Sequence, residues 1–179
     1  MAEFLRTLLQ FIEFLWPLRR VEEWERGGYY VLGRWRAEVG PGAHWVIPWF
    51  GDVKTVSTAE AIIGTGRLDI TLADGALLSF AASATVKVSD VYKALNAVDE
   101  YRETATELLS SVVADLFSEE PSASFAAGLR RGLQTRVRNA LESQGEPYGL
   151  SFGRVRLTSC VVAPRAHRLL IDQTTGMAW

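Results

Sequence analysis

The sequence predicts a single mixed α+β domain, a mainly antiparallel sheet with helices packed on one face, preceded by a short amphipathic N-terminal helix. Three observations point there. Apolar residues alternate at period two over residues 68–72, from which an Asp-Gly pair leads back into a long strand over 77–88; the period turns helical from Asp90; and alternation returns over residues 151–162. Strands, then helices, then a strand describe an α+β arrangement. At 179 residues the chain has room for one core and not for two full domains. With 48% apolar and 22% charged residues it lies well away from disordered compositions. A net charge of -2 offers no clustered excess of cations for phosphate, so no nucleic-acid partner is expected.

The run FLRTLLQFIEFLWPL, residues 4–18, sets Phe4, Leu5, Leu8, Leu9, Phe11, Ile12, Leu15 and Trp16 at helical spacing with Arg6, Thr7, Gln10 and Glu13 between them. It lacks the basic n-region and small-residue cleavage site of a signal peptide, and it falls short of the roughly 20 apolar residues a spanning helix needs. Residues 1–20 are therefore expected to lie in the plane of a membrane interface, with Trp16, Arg19 and Arg20 at headgroup level. Arg6 is balanced by Glu3 and Glu13, so binding would rest on apolar insertion. The alternative is a helix packed on the domain or on a neighbouring subunit.

Gly27 and Gly28 are expected to break the chain ahead of a strand over residues 29–35. Gly40, Pro41 and Gly42 then form a turn into residues 43–50, where Pro48 cannot donate to a ladder and is expected at an edge or a bulge. Short strands at 53–57 and 61–65 lead to the clearest hairpin, 68–72 with 77–88 through Asp74-Gly75. Val91, Ala94, Leu95 and Val98 mark one helix. Tyr101, Ala105, Leu108, Leu109, Val112, Val113 and Leu116 trace a second, starting near Asp99.

Pro121 and Ser122 open a third helix, in which Phe125, Leu129, Leu133, Val137 and Leu141 step by four. Arg130, Arg131, Arg136 and Arg138 are left largely to solvent, and the helix ends by Gly145. In the closing strand Val155, Leu157, Ser159 and Val161 are expected on one face and Arg154, Arg156, Thr158 and Cys160 on the other, until Pro164 stops it. After that, only residues 165–172 read as helical.

Taken in order, these landmarks resemble the stomatin/prohibitin/flotillin family, also called SPFH or band 7. The resemblance is carried by Val39-Gly40-Pro41-Gly42 leading into Trp45-Val46-Ile47-Pro48, by the Asp74-Gly75 hairpin, by Val86-Lys87-Val88 passing into Asp90, Tyr92, Lys93 and Ala94, and by Gly153-Arg154-Val155-Arg156-Leu157 with Pro164. It covers roughly residues 24 to 165.

What the resemblance implies is a membrane-bound scaffold on the cytoplasmic side, assembling into rings or cages that organise lipids or partner proteins. Its partners would be further copies of the chain, membrane lipids and membrane proteins. On this reading residues 1–20 are the anchor or packing helix, 21–165 the domain and 166–179 a short tail. The family's long helical segment after the domain has no counterpart here, which counts against large cages. No N-terminal cysteine is available for acylation. Basic residues are Arg except at Lys54, Lys87 and Lys93, a bias associated with GC-rich coding and a bacterial or phage source; the expected location is a bacterial inner membrane or a phage-infected cell.

Chemistry has few candidates. His44 and His167 have no metal-ligand spacing to each other or to Cys160, and the lone cysteine excludes an internal disulfide. The pairs Glu22-Glu23 and Glu119-Glu120 read as solvated helix ends, and no glycine pattern cradles phosphate. No catalytic, cofactor-binding or metal residue is expected. Trp16, Trp24, Trp35, Trp45 and Trp49 gather in the first fifty residues with Tyr29, Tyr30 and Phe50, either as a surface at a bilayer or subunit boundary or as filling for the sheet. The expected function is a non-enzymatic, self-assembling membrane scaffold. The alternative is a soluble structural subunit of a larger assembly, such as a phage particle, that uses the same helix and aromatic surface as subunit contacts.

Overall fold

A computed structural model of the chain describes residues 18–125 and 131–163. It is an α+β fold with antiparallel pairing throughout the sheets described. Strand β1 (Leu18–Val21) pairs with β4 (Gly42–Trp45); β2 (Glu25–Val31) is flanked by β3 (Arg34–Val39) and β5 (Gly51–Ser57). The third sheet is built on β8 (Leu77–Val88). On one edge β8 carries β6 (Ala61–Gly64) and β7 (Leu68–Thr71) end to end, and on the other β9 (Leu150–Ala163) along its whole length.

The join between β6 and β7 is closed by a side chain. Thr65 is buried, its N–H donates to Ala82 O at 2.8 Å, and its hydroxyl oxygen accepts from Ala82 N at 2.9 Å. That hydroxyl supplies the bond that a continuous partner strand would have given to β8, whose buried backbone groups each need a partner.

Every second residue of β8 faces inward, and Leu78, Phe80, Ala82, Ala84 and Val86 are essentially inaccessible. Helices α1 (Val91–Asn96), α2 (Tyr101–Ser118) and α3 (Arg131–Gly145) follow the sheet. The stripe read from the sequence is the one that α2 buries: Ala105, Leu109, Val112 and Val113, with Phe117 added. Leu133, Val137 and Leu141 of α3 are buried likewise. Phe80, Phe117 and Phe125 meet in sequence, with centroids 5.2 and 5.0 Å apart, tying sheet, α2 and the start of the third helical segment together.

Local chemistry fixes the connections. Asp90 caps α1, its carboxylate accepting from Lys93 N at 3.1 Å. Asp74 spans the tight turn before β8: one carboxylate oxygen accepts from Ala76 N at 3.1 Å, the other from Ser122 N at 2.9 Å. Hydrogen bonding from Ser122, side chain and backbone, then from Ala76, holds the Asp74 carboxyl below its ordinary value of 3.8. At the end of α2, Glu119 and Glu120 oppose the helix dipole, and Arg136 of α3 offsets them with contacts of 3.7 and 2.6 Å. Glu119 is the solvated helix end that was expected, whereas Glu120 is largely covered and ties α2 to α3 through Arg136.

Several expectations change. Leu18, Arg19 and Arg20 belong to strand β1, paired with Trp45, His44 and Ala43, and not to a helix; cross-strand pairing overrides the local helical pattern there. The rest of the expected helix, residues 1–17, lies outside the described residues, as do residues 126–130 and 164–179, including Leu129, Arg130, Pro164 and His167. Glu22 and Glu23 occupy the β1–β2 turn rather than a helix end.

Gly27 and Gly28 sit inside β2 instead of breaking the chain, because neighbours press on that backbone. A Cβ at Gly28 would lie 2.1 Å from the Trp35 ring. Pro48 is in the turn between β4 and β5, not in a strand. The third helix opens as a 3-10 turn, Ser122–Ser124, and is α-helical from Arg131 among the described residues.

In β9 two register shifts, one beside Gly153 and Arg154 and one at Thr158, change the phase. Phe152, Val155 and Leu157 face the core, and past the second shift so do Cys160 and Val162, whereas Val161 is 57% exposed.

Two outcomes follow from these contacts. Thr65→Val keeps the shape and strips the acceptor from Ala82 N, which should cost about 1–3 kcal/mol in urea unfolding. Because the Asp74 pKa is depressed in the folded state, its contribution is present above the ordinary value of 3.8 and is lost as pH falls through the folded one. The stability gap between the parent chain and Asp74→Ala in urea melts should therefore be widest near neutral pH and shrink toward pH 3.

Candidate apolar interface

Most of the described aromatic residues of the first fifty positions divide into three groups. Trp35 packs edge-on against Tyr30 at 5.4 Å and Tyr92 at 5.0 Å, and the Tyr30 hydroxyl donates to Asn96 Oδ1 at 3.0 Å. This group fastens the three-stranded sheet to α1. Burial pushes the Tyr30 phenol up, against the Asn96 hydrogen bond. Trp24 is exposed in the β1–β2 turn, where its carbonyl accepts from Thr58 N at 2.9 Å, at the opposite end of β2 from the β2–β3 turn.

The third group forms an apolar end. The β2–β3 turn is Leu32-Gly33, with φ of 52° and 75°, the left-handed pair that closes a tight two-residue hairpin. The loop from β4 to β5 runs beside it, joined by Leu32 N donating to Phe50 O at 2.7 Å. Between them they expose Leu32 at 73%, Trp49 at 70%, Phe50 at 54% and Ile47 at 47%. Trp45, 72% exposed, ends β4 at the base of the same loop and pairs with Leu18, so the chain enters the domain beside this end.

Trp49 also has positive φ, at 66°. A bulky residue in the left-handed region costs roughly 1–2 kcal/mol, and here two of them hold their side chains outward. Beneath them is a recess of about 390 Å³ bordered by Tyr30, Asn96 and Lys54, whose ammonium stands 5.6 Å from the Tyr30 ring centroid. The arrangement combines outward apolar side chains with Lys54 and Asp52 set behind them.

The turn that positions β4 is the Gly40, Pro41, Gly42 segment. It carries the chain from β3 in one sheet to β4 in another, and Gly42 takes φ of 126°. His44 Nε2 bonds to Gly40 O at 2.6 Å, which gives this histidine a structural partner across the turn. Cys160 is half-buried, and burial pushes its thiol up. Phe4, Leu5, Leu8, Leu9, Phe11, Ile12, Leu15 and Trp16 lie outside the described residues. The sequence drew attention to Trp45, Trp49 and Phe50 but not to Leu32; a Leu directly before Gly in an aromatic strand was the available signal for a turn with an unusual occupant.

An α+β domain of three antiparallel sheets with an exposed apolar end beside its entry strand is the class these features define. The chain belongs to the SPFH domain / Band 7 family, whose model matches residues 19–169. It is also 20% identical, over 156 residues, to an uncharacterized protein of Archaeoglobus fulgidus, covering 87% of this chain and 62% of that one. The chain thus spans less than two thirds of that relative's length.

Leu32→Asn separates the conformational role of this turn from the apolar one, since Asn tolerates the left-handed region and is not apolar. Expected is a rise in thermal midpoint together with weaker binding to vesicles in sedimentation.

Proposed function

We propose that the protein is a non-enzymatic membrane-associated scaffold of the stomatin/prohibitin type, held at a cytoplasmic membrane face, which self-assembles and organises membrane or partner proteins. Members of the family are generally membrane-associated. The observation that carries the reading is the exposed apolar end formed by Leu32, Trp45, Ile47, Trp49 and Phe50. Indole and phenyl groups favour the boundary between headgroups and acyl chains. Burial of each large apolar side chain is worth about 1.5–3 kcal/mol, so several inserting together support reversible binding. No helix among the described residues is long and apolar enough to cross a membrane.

The amphipathic run of residues 4–18 adds a second apolar element on the chain leading to Leu18, the residue paired with Trp45. Where two apolar elements of one chain reach the same surface, they bind it more firmly than either alone. The competing reading, a soluble assembly subunit, uses the same apolar end as a protein contact.

Co-flotation with liposomes distinguishes them. The intact chain should float, a chain starting at Leu18, which keeps β1, should float weakly, and that shortened chain carrying Trp45→Ala and Trp49→Ala should stay at the bottom of the gradient. If the intact chain stays there too, the membrane reading is wrong and the soluble-subunit reading takes its place.

A further inference from the structure

The outer face of the four-stranded sheet, turned away from the helices, forms an open trough of about 490 Å³. Ser83 and Thr85 of β8 make its floor. Ile62 of β6, 82% exposed, stands on one side, and Arg154 and Arg156 of β9 stand on the other. Lys87 adds a further cation and Glu60 a single carboxylate. Neither arginine nor Lys87 has an ion-pair partner among the described residues. An apolar side chain so fully exposed between unpaired cations is an unusual surface for a sheet with solvent as its only neighbour.

On the far side of the domain, α2 presents the opposite charge. Glu103, Glu107, Ser111, Asp115 and Glu119 recur at every fourth residue and all are exposed, on the face away from buried Ala105, Leu109 and Val112. Of the four carboxylates only Glu119 has an ion-pair partner among the described residues, Arg136. Like charges four apart weaken a helix, and Asp115 and Glu119 lie toward the C-terminal end where they oppose its dipole, while Glu103 in the first turn favours it.

The two surfaces also agree in spacing. Four helical residues rise about 6 Å, close to the step of about 6.6 Å between two residues of a regular strand; Glu103 and Glu107 are thus matched to Arg156 and to Arg154, which sits at the β9 bulge. We propose that the trough of one copy receives α2 of a second copy, with Glu103 and Glu107 set against Arg154 and Arg156 and Ile62 covered. The proposal rests on the self-assembly reading and specifies the contact through which it occurs. Trough and stripe lie on opposite sides of the domain, so each copy donates and accepts at once. A contact of that heterologous kind propagates into a ring where its rotation closes and into a filament where it does not.

Charge exchange in the full chain tests this by sedimentation velocity at low salt, with circular dichroism to confirm folding. Arg154→Glu with Arg156→Glu, and separately Glu103→Arg with Glu107→Arg, should each weaken self-association about tenfold or more by opposing like charges. Mixing the two variants should restore assembly, because each trough then meets a stripe of opposite sign. If the unmodified chain assembles and either variant assembles equally well, or if both fail and their mixture fails too, this contact is wrong while self-assembly stands. If the unmodified chain remains monomeric throughout, the self-assembly reading falls and the contact with it.

Discussion

Strand β8 is the constraint on which the rest of the molecule depends. Both its edges are occupied, one over most of its length by β6 and β7 in succession and the other from end to end by β9, so its backbone pairing is largely committed within this domain. Its inward face is part of the floor on which α2 lies, while α3 packs on β9 and on α2. Since side chains alternate strictly, a slip of one residue would turn Leu78, Phe80 and Val86 to solvent and Ser79, Ser83 and Thr85 into the core. Asp74 at the start of β8 and Asp90 just past its end limit such slippage, the first by fastening the turn to Ser122 and the second by capping α1. The strand's position therefore sets where the helices lie and which residues form the outer trough.

Features governed by neighbours in sequence were legible. The long strand β8, the apolar stripe of α2, the Asp-Gly turn and the Asp90 passage each need only neighbouring residues to specify them, and each is found where the pattern indicated. What escaped depends on contacts between distant residues. Gly27 and Gly28 looked like a break because nothing local reports that Trp35 lies across their backbone. Val161 looked like a core residue because the extra residue at Thr158 is defined only by pairing with β8. Leu18, Arg19 and Arg20 were read as the end of a helix, yet their partners are Trp45, His44 and Ala43.

The apolar end was half legible for the same reason. Composition exposed the cluster of aromatic residues but could not sort it, since a tryptophan that fills a sheet and one that faces outward are the same letter. Trp35 is held by two ring contacts and the close approach of Gly28, while Trp45 and Trp49 have no such enclosure. Leu32 and Trp49 depart most from what local preference would choose: an Asn or Gly would occupy their left-handed backbone without strain. Retaining large apolar groups at such positions makes sense where an outward apolar side chain has something to bind.

The geometry also bears on how a membrane contact and a lateral contact could operate together. The apolar end is made by two loops at one extremity of the three-stranded sheet, whereas the trough and the acidic stripe lie on the faces of the four-stranded sheet layer, and no residue is shared between them. Occupying one therefore leaves the other free. Copies held at a surface by their apolar ends would lose freedom to tumble before they meet, which lowers the entropic cost of the lateral contact and raises its effective concentration. A contact that is weak in dilute solution would then become strong on a membrane. Electrostatic pairing suits that role, because it orients approaching copies over several ångströms yet is softened by salt where it is solvated, so that association follows surface density more than intrinsic affinity.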